Sequence, residues 1–369
     1  MAKEKKIYFI ILAVFAFIAY TLLAAQPIPP ETILANNWVN SLDVAFEEET
    51  APTGGAPIPF LLGNRYGYVD SGGKFLLNRD REQTVSLSPH FWAEYGSAPA
   101  ALLIHDIRSN AEIALENPGG YPLFLDGRIF LISKDQTSLE ELNGEGEILW
   151  RYDFEAPLTC IDAAGGCVLT GTLDGMINLL DKDGNPLFPS FAPGASRIPV
   201  ILGCRISSDA SKLAIVSGID KQRFLFLEWY GNNDYRVTHH EFLKGEGFRR
   251  EVQMAFIGND TRVVFEQETG LGIYDVKSRS TITLPLSGWQ GDRYQAQLET
   301  LDEEGGDGLF FYICSGASRG EKRFIGLKLP GTELINVPFK SEVNFLIRRG
   351  KEIYVGGAMT VASFTLDKR

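Results

Sequence analysis

Leu169-Thr170-Gly171-Thr172-Leu173-Asp174-Gly175-Met176-Ile177-Asn178-Leu179-Leu180-Asp181-Lys182-Asp183-Gly184-Asn185 decides the fold reading. It runs strand, Asp-Gly turn, strand, Asp-Gly turn. Asp-Gly suits a hairpin because Gly accepts the positive φ that tight turns require. Working outward, Pro59-Phe60-Leu61-Leu62-Gly63-Asn64 and Arg65-Tyr66-Gly67-Tyr68-Val69-Asp70 read as a second hairpin. Pro122-Leu123-Phe124-Leu125-Asp126-Gly127 followed by Arg128-Ile129-Phe130-Leu131-Ile132 reads as a third. Similar strand endings recur at Leu225-Phe226-Leu227-Glu228, Gly272-Ile273-Tyr274-Asp275 and Phe364-Thr365-Leu366-Asp367. Asp181, Glu228 and Asp275 stand 47 residues apart in turn.

From Ile58 onward, apolar runs rich in Val, Ile, Phe and Tyr alternate with Gly, Asp and Asn turns, and long helical periodicity is absent. A period of about 40–50 residues carrying four strands is the mark of β-propeller blades. A lone four-stranded sheet leaves both faces wet, so blades must stack, and a ring exposes no terminal blade. The expected fold is therefore all-β, a propeller over 58–369. Seven blades of about 49 residues are expected, with eight of about 43 as the alternative. The units begin near Pro89, Tyr121, Ala156, Ile198, Val252, Tyr294 and Val343. The last runs out of chain after its third strand, so its outer strand should come from the segment before Pro89 and clasp the ring.

Ahead of the propeller, Lys3-Glu4-Lys5-Lys6 forms a basic tail over 1–6, and Ile7 to Ala25 contains no charge, Gly or Pro. As a helix those 19 residues extend roughly 28 Å, near the ~30 Å of a bilayer core. Residues 7–25 are thus expected to be a signal-anchor with its basic end in the cytoplasm and the rest outside, on a bacterial cytoplasmic membrane. A cleaved signal peptide is the alternative, with Leu22-Leu23-Ala24-Ala25 a partial cleavage pattern. Residues 26–57 read as a Pro-, Glu- and Gly-rich linker, in which Trp38 to Phe46 is either a strand or a short helix. The net charge is −12, split as +2 over residues 1–25 and −14 thereafter. That balance argues against nucleic acid, whose phosphates need a basic surface.

Gly144-Glu145-Gly146-Glu147-Ile148-Leu149-Trp150 resembles the Gly-x-x-Leu-Trp element of quinoprotein-like propeller repeats. The stretch from Gly171 to Asp181 resembles the Gly-Thr-x-Asp-Gly-x-Leu-x-x-Leu-Asp core of the same repeat. Ser207-Ser208-Asp209-Ala210-Ser211-Lys212-Leu213-Ala214 resembles an element of WD-repeat-like propellers, with Ala210 in place of the usual Gly. The resemblance implies a disc with a central channel and binding loops on its faces. It assigns structural roles to Trp150, Gly171, Asp174, Gly175, Asp181 and Gly184. It extends to propeller lipoproteins of the bacterial outer-membrane assembly machinery, although no Cys near the apolar segment could carry a lipid. Quinoprotein dehydrogenases of this repeat family use an adjacent-Cys disulfide, which this chain lacks, so no cofactor is expected.

The remaining chemistry is sparse. Gly316-Ala317-Ser318-Arg319-Gly320 spells the G-x-S-x-G of a nucleophile elbow, but the 49 residues after it hold no His. It reads as a loop between strands. Asp181-Lys182-Asp183-Gly184-Asn185 resembles the start of a Ca²⁺ loop but has Pro186 at the sixth position and Ala192 at the twelfth, so a hairpin turn is expected. Asp302 to Gly308 reads as a solvated acidic loop. His239 and His240 are adjacent in a strand and point to opposite faces, while His90 and His105 are isolated, so no metal site is expected. Cys160 and Cys167 flank a turn and could form a disulfide in an exported compartment, or stay as buried small hydrophobes. Cys204 and Cys314 have no obvious partners.

No nucleophile–base constellation stands out, so the expected role is a non-catalytic scaffold that binds an envelope protein or peptide. The alternatives are a quinone-type oxidoreductase or other channel-mouth enzyme, and a small-ligand or glycan sensor. A sensor would use aromatics such as Trp92, Trp229 or Trp289, which serve equally well as core between blades.

Overall fold

The computed structural model describes residues 2–23, 32–43, 55–97, 99–232, 234–245, 247–268, 270–285, 297–301, 309–315, 322–328, 331–339, 345–349, 351–357 and 359–368. The chain divides into two units, 1–34 with 366–369, and 35–365. The first contains α1 (Ala2–Leu23), an uninterrupted helix over the apolar run. Its Tyr8, Phe9, Ile10, Leu12 and Phe15 side chains are all largely exposed. The sequence expects a membrane crossing at 7–25; among the described residues, no helix is long and apolar enough to cross a membrane.

The described strands form eight sheets, six of four strands and two of three. β1 (Thr32–Ser41) comes first but joins the last sheet. The first blade is β2 (Ile58–Leu62), β3 (Arg65–Val69) and β4 (Phe75–Asp80). The second is β5 (Thr84–Leu87), β6 (Phe91–Tyr95), β7 (Ala101–Asp106) and β8 (Glu112–Glu116). The third is β9 (Gly120–Leu125), β10 (Arg128–Ser133), β11 (Ser138–Leu142) and β12 (Ile148–Asp153). The fourth is β13 (Leu158–Ala164), β14 (Cys167–Thr172) and β15 (Ile177–Leu180). The fifth is β16 (Ile201–Ile206), β17 (Lys212–Ser217), β18 (Arg223–Trp229) and β19 (Tyr235–Phe242). The sixth is β20 (Met254–Ile257), β21 (Arg262–Gln267), β22 (Gly270–Asp275) and β23 (Ser280–Pro285). The seventh is β24 (Gln297–Leu301), β25 (Leu309–Ser315), β26 (Lys322–Lys328) and β27 (Thr332–Phe339). The eighth is β28 (Phe345–Arg349), β29 (Glu352–Gly357) and β30 (Thr360–Lys368), with β1 on its outer edge.

Neighbours within each sheet are antiparallel. The third hairpin of the sequence reading is typical. Asp126 and Gly127 take φ of 50° and 70°, which turns the chain so that Arg128 pairs with Leu125. Middle strands such as β14 and β17 are buried along nearly their whole length, because both faces of a blade are covered by neighbouring blades. First strands of successive blades pack side by side: β2 on β5, β5 on β9, β13 on β16, β16 on β20, β20 on β24, β24 on β28, and β28 on β2. The last contact closes the ring.

Seven of the eight sheets answer to the seven units read from the sequence. The eighth is β2–β4, which lies before the first of those units, so the sheet count matches the alternative of eight. The outer-strand expectation resolves as β1, so the Trp38 segment begins as strand through Ser41, with 44–46 outside the described residues. The Asn37 amide donates to Ser363 Oγ and Thr365 Oγ1, at 3.1 and 2.8 Å, and Trp38 Nε1 donates to Ser71 O of the first blade at 2.9 Å. β1 therefore ties the eighth blade to the first.

Candidate functional site

The seam between the third and fourth blades is built around Glu141. Phe130, Glu141 and Trp150 are level on β10, β11 and β12. Glu141 is buried, and its oxygens accept from Arg128 Nε at 2.7 Å, Arg128 Nη2 at 2.5 Å and Trp150 Nε1 at 2.7 Å. The indole then lies on the Asp181–Asn185 turn of the fourth blade. A Cβ added at Gly184 would sit 2.6 Å from Trp150 Cδ2, and Gly184 has φ of 78°, so glycine is required twice over.

Inward of this bracket the seam opens. β9 and β13 do not pack along their length as β13 and β16 do. Between them lies a cavity of about 460 Å³, walled by Leu123, Leu125, Ile132, Leu158 and Ile161, with Cys160, Asp162, Arg205 and Glu251 also facing it. Asp162 Oδ2 accepts the Ile206 N–H at 2.9 Å. Burial pushes the Asp162 carboxyl up, with the Arg205 guanidinium and the Ile206 and Ala163 N–H groups pulling the other way. Arg205 is held by the carbonyls of Met254 and Cys204, at 2.9 and 2.8 Å. Apolar walls beside a fixed carboxyl and guanidinium suit a ligand with an apolar body and a polar end. A smaller cavity of about 190 Å³ is lined by Tyr152, Glu155, Asp174 and Asn178 among others.

The residues marked by the repeat are divided between the seams. Trp150 and Gly184 meet across the third–fourth seam. A Cβ at Gly171 would sit 2.4 Å from Ile201 Cγ2 and 2.8 Å from Cys160 Sγ, and one at Gly175 would sit 2.3 Å from Pro199 O, both toward the fifth blade. Asp174 accepts the Thr172 hydroxyl. Asp181 Oδ1 accepts the N–H groups of Asp183 and Asn185, at 2.9 and 2.8 Å, the geometry of a hairpin turn. Although partial burial opposes it, those N–H groups hold the Asp181 carboxyl below the ordinary carboxylate range. Ala210, standing where the motif has Gly, takes φ of 57° and is buried.

Of the two readings for Cys160 and Cys167, the disulfide is not formed, and Cys160, Cys167 and Cys204 are free thiols. Cys167 pairs with Ala164, and Cys160 pairs with Gly171. Four residues of strand at ~3.3 Å each separate the two sites by about 13 Å, beyond the ~7 Å that a disulfide spans. His105 stacks on Trp92 at 3.8 Å and His239 lies on Tyr274 at 4.7 Å. Among the described residues, no group of three His, Cys, Asp or Glu could hold a metal. Trp92 packs between the first and second blades, Trp150 between the third and fourth, and Trp229 is half exposed at the end of β18. The Gly316–Gly320 and Asp302–Gly308 motifs and Trp289 lie outside the described residues.

Sequence reasoning missed Asp162, Arg205 and Glu251. They come from separate segments, and a charge inside an apolar first strand, as in Thr-Cys-Ile-Asp-Ala and Gly-Cys-Arg-Ile, was the available signal.

Comparison with known proteins places this architecture. An uncharacterized protein of Treponema pallidum (strain Nichols) is 27% identical over 294 residues, covering 78% of this chain and 77% of its own. The crystal structure of BamB from Moraxella catarrhalis superposes with a TM-score of 0.57 at 14% identity, over 90% of this chain and all of that one. The dihydro-heme d1 dehydrogenase NirN, in complex with DHE, gives a TM-score of 0.52 at 14% identity, over 76% of this chain and 60% of that one. Both structures are similar in fold alone, and a known enzyme is among them. A family described as beta-propeller protein matches residues 1–368. The ring of blades and the match along nearly the whole sequence agree, and this chain belongs to the beta-propeller protein family.

Proposed function

We propose that this propeller is a binding platform of the cell envelope, held at the cytoplasmic membrane by α1 and displayed on its outer side. It takes an envelope protein or peptide against the cavity between the third and fourth blades. The observation that carries this reading is the cavity itself, with Leu123, Leu125 and Leu158 on its walls and Asp162 and Arg205 fixed at one side. An apolar side chain would fill the walls while a neighbouring peptide group reached the charged pair. The exposed apolar side chains of α1 support the anchor, since large apolar surface in contact with water is unfavourable. The fold likeness to BamB is compatible with this role and carries none of it.

The test is photo-crosslinking in native envelopes from a probe at Leu125. A reproducible adduct that disappears in Leu123→Trp, which fills the cavity, is the expected result. Adducts unaffected by that variant, or no protein adduct at all, would refute the site.

A channel-mouth enzyme is the second reading, favoured by one observation: the Asp162 carboxyl is pushed up inside a cavity, a condition shared with general acids. Substrate-dependent turnover abolished by Asp162→Asn would support it over the platform.

A further inference from the structure

Cys160 and Cys204 face each other across the seam between the fourth and fifth blades. Cys160 is in β13 and Cys204 in β16, the two first strands that pack side by side. Two hydrogen bonds bracket them: the Thr159 hydroxyl donates to Ile201 O at 2.6 Å, and the Ile206 N–H donates to Asp162 Oδ2 at 2.9 Å. The strands are thereby held in a fixed offset with the two cysteines between the ties. Both side chains enter the same apolar cluster with Leu169, Ile177 and Ile201. Cys204 Sγ reaches Leu169 O at 3.7 Å, and Cys160 Sγ lies against Gly171, two residues further along β14. Both sulfurs therefore lie against the same stretch of β14, inside one cluster. They differ in access, since Cys160 faces the 460 Å³ cavity whereas Cys204 is sealed.

We infer that Cys160 and Cys204 form a redox modification site, in which a small disulfide entering the cavity converts the pair into a covalent tie between the fourth and fifth blades. The Cys160 thiolate attacks one sulfur of the small disulfide, forming a mixed disulfide and releasing one thiolate. The Cys204 thiolate then attacks Cys160 Sγ and expels the second. Two protein thiols are oxidised, the small disulfide is reduced to two thiols, and the two protein protons pass to those leaving groups or to water. In the reduced pair the neighbouring Cys160 thiol and burial hold the Cys204 thiol protonated, and burial still does so once Cys160 carries the mixed disulfide, so closure quickens as pH rises.

The experiment uses the purified full chain and oxidised glutathione, with alkylation and peptide mass mapping, and so reads out independently of any partner or membrane. The expected product is a Cys160–Cys204 linked peptide with Cys167 alkylated, forming faster at higher pH and unchanged in Cys167→Ser. In Cys204→Ser, glutathione stays trapped on Cys160, and in Cys160→Ser no adduct forms at Cys204. Linkage of Cys160 to Cys167 would overturn the inference. So would recovery of both thiols alkylated under oxidant that fully modifies the denatured chain.

Discussion

The seam between the third and fourth blades and the seam between the fourth and fifth share one blade, yet one contains a cavity and the other is closed. At the closed seam, Gly171 has no side chain, so Ile201 approaches the backbone of β14 and the two sheets meet through Leu169, Ile177, Leu213 and Ile215. Two hydrogen bonds cross directly between the first strands. At the open seam the contact is displaced outward to Trp150, which is oriented by Glu141 and rests on Gly184. The first strands inside it are left apart, and Leu123 and Leu125 line a cavity. The position of the glycine therefore decides where two blades touch. An inner glycine closes the seam at the channel, whereas an outer one props the blades on an indole and leaves space within.

The comparison can be broken at three points. The largest effect is expected from Glu141→Leu at the open seam. It strands the half-buried Arg128 guanidinium and the Trp150 N–H, and should cost about 3–5 kcal/mol in urea unfolding. A loss no greater than that of an exposed substitution would mean that the bracket does not hold the seam. Gly171→Val at the closed seam comes next. Its side chain overlaps Ile201 and the Cys160 sulfur, so a loss of about 1–3 kcal/mol is expected, with faster hydrogen exchange in β13 and β16. Unchanged exchange there would show that the seam does not depend on that glycine.

The smallest effect concerns Asp162, whose side chain serves both seams. Its carboxyl is raised in the folded chain, so the folded state binds a proton more tightly than the unfolded one. Stability is then lost as pH rises from the ordinary Asp range through the raised value. Asp162→Asn should remove that loss, flattening the dependence of urea midpoint on pH while keeping an oxygen for the Ile206 N–H. Parallel curves for the two proteins would place the titrating group elsewhere.

Much of this was legible in the chain. The Asp-Gly turns, the alternating apolar runs and the 47-residue spacing specify hairpins and blades through local backbone preference and period alone. The missing strand of the last blade was legible too, because a three-stranded ending leaves an edge that another segment must cover. The segment 58–80 was harder to count as a blade, since with three strands it resembles a lead-in to the next. The cysteines show the limit most clearly. Nearness in sequence favoured Cys167 for Cys160, but the ladder moves those two apart, and the packing of β16 on β13 brings Cys204 into the same cluster as Cys160.

The sequence by itself determined the strands, their turns, the repeat and the apolar character of the N-terminal helix, because each depends on residues close together in the chain. The tertiary structure alone decided the closure of the ring, which seam holds a cavity, and the meeting of Asp162 with Arg205 and of Cys160 with Cys204. Those outcomes depend on the offset between first strands that belong to different sheets and share no backbone ladder. That offset is set by how side chains from separate blades fit together, a three-dimensional packing condition that no local pattern encodes.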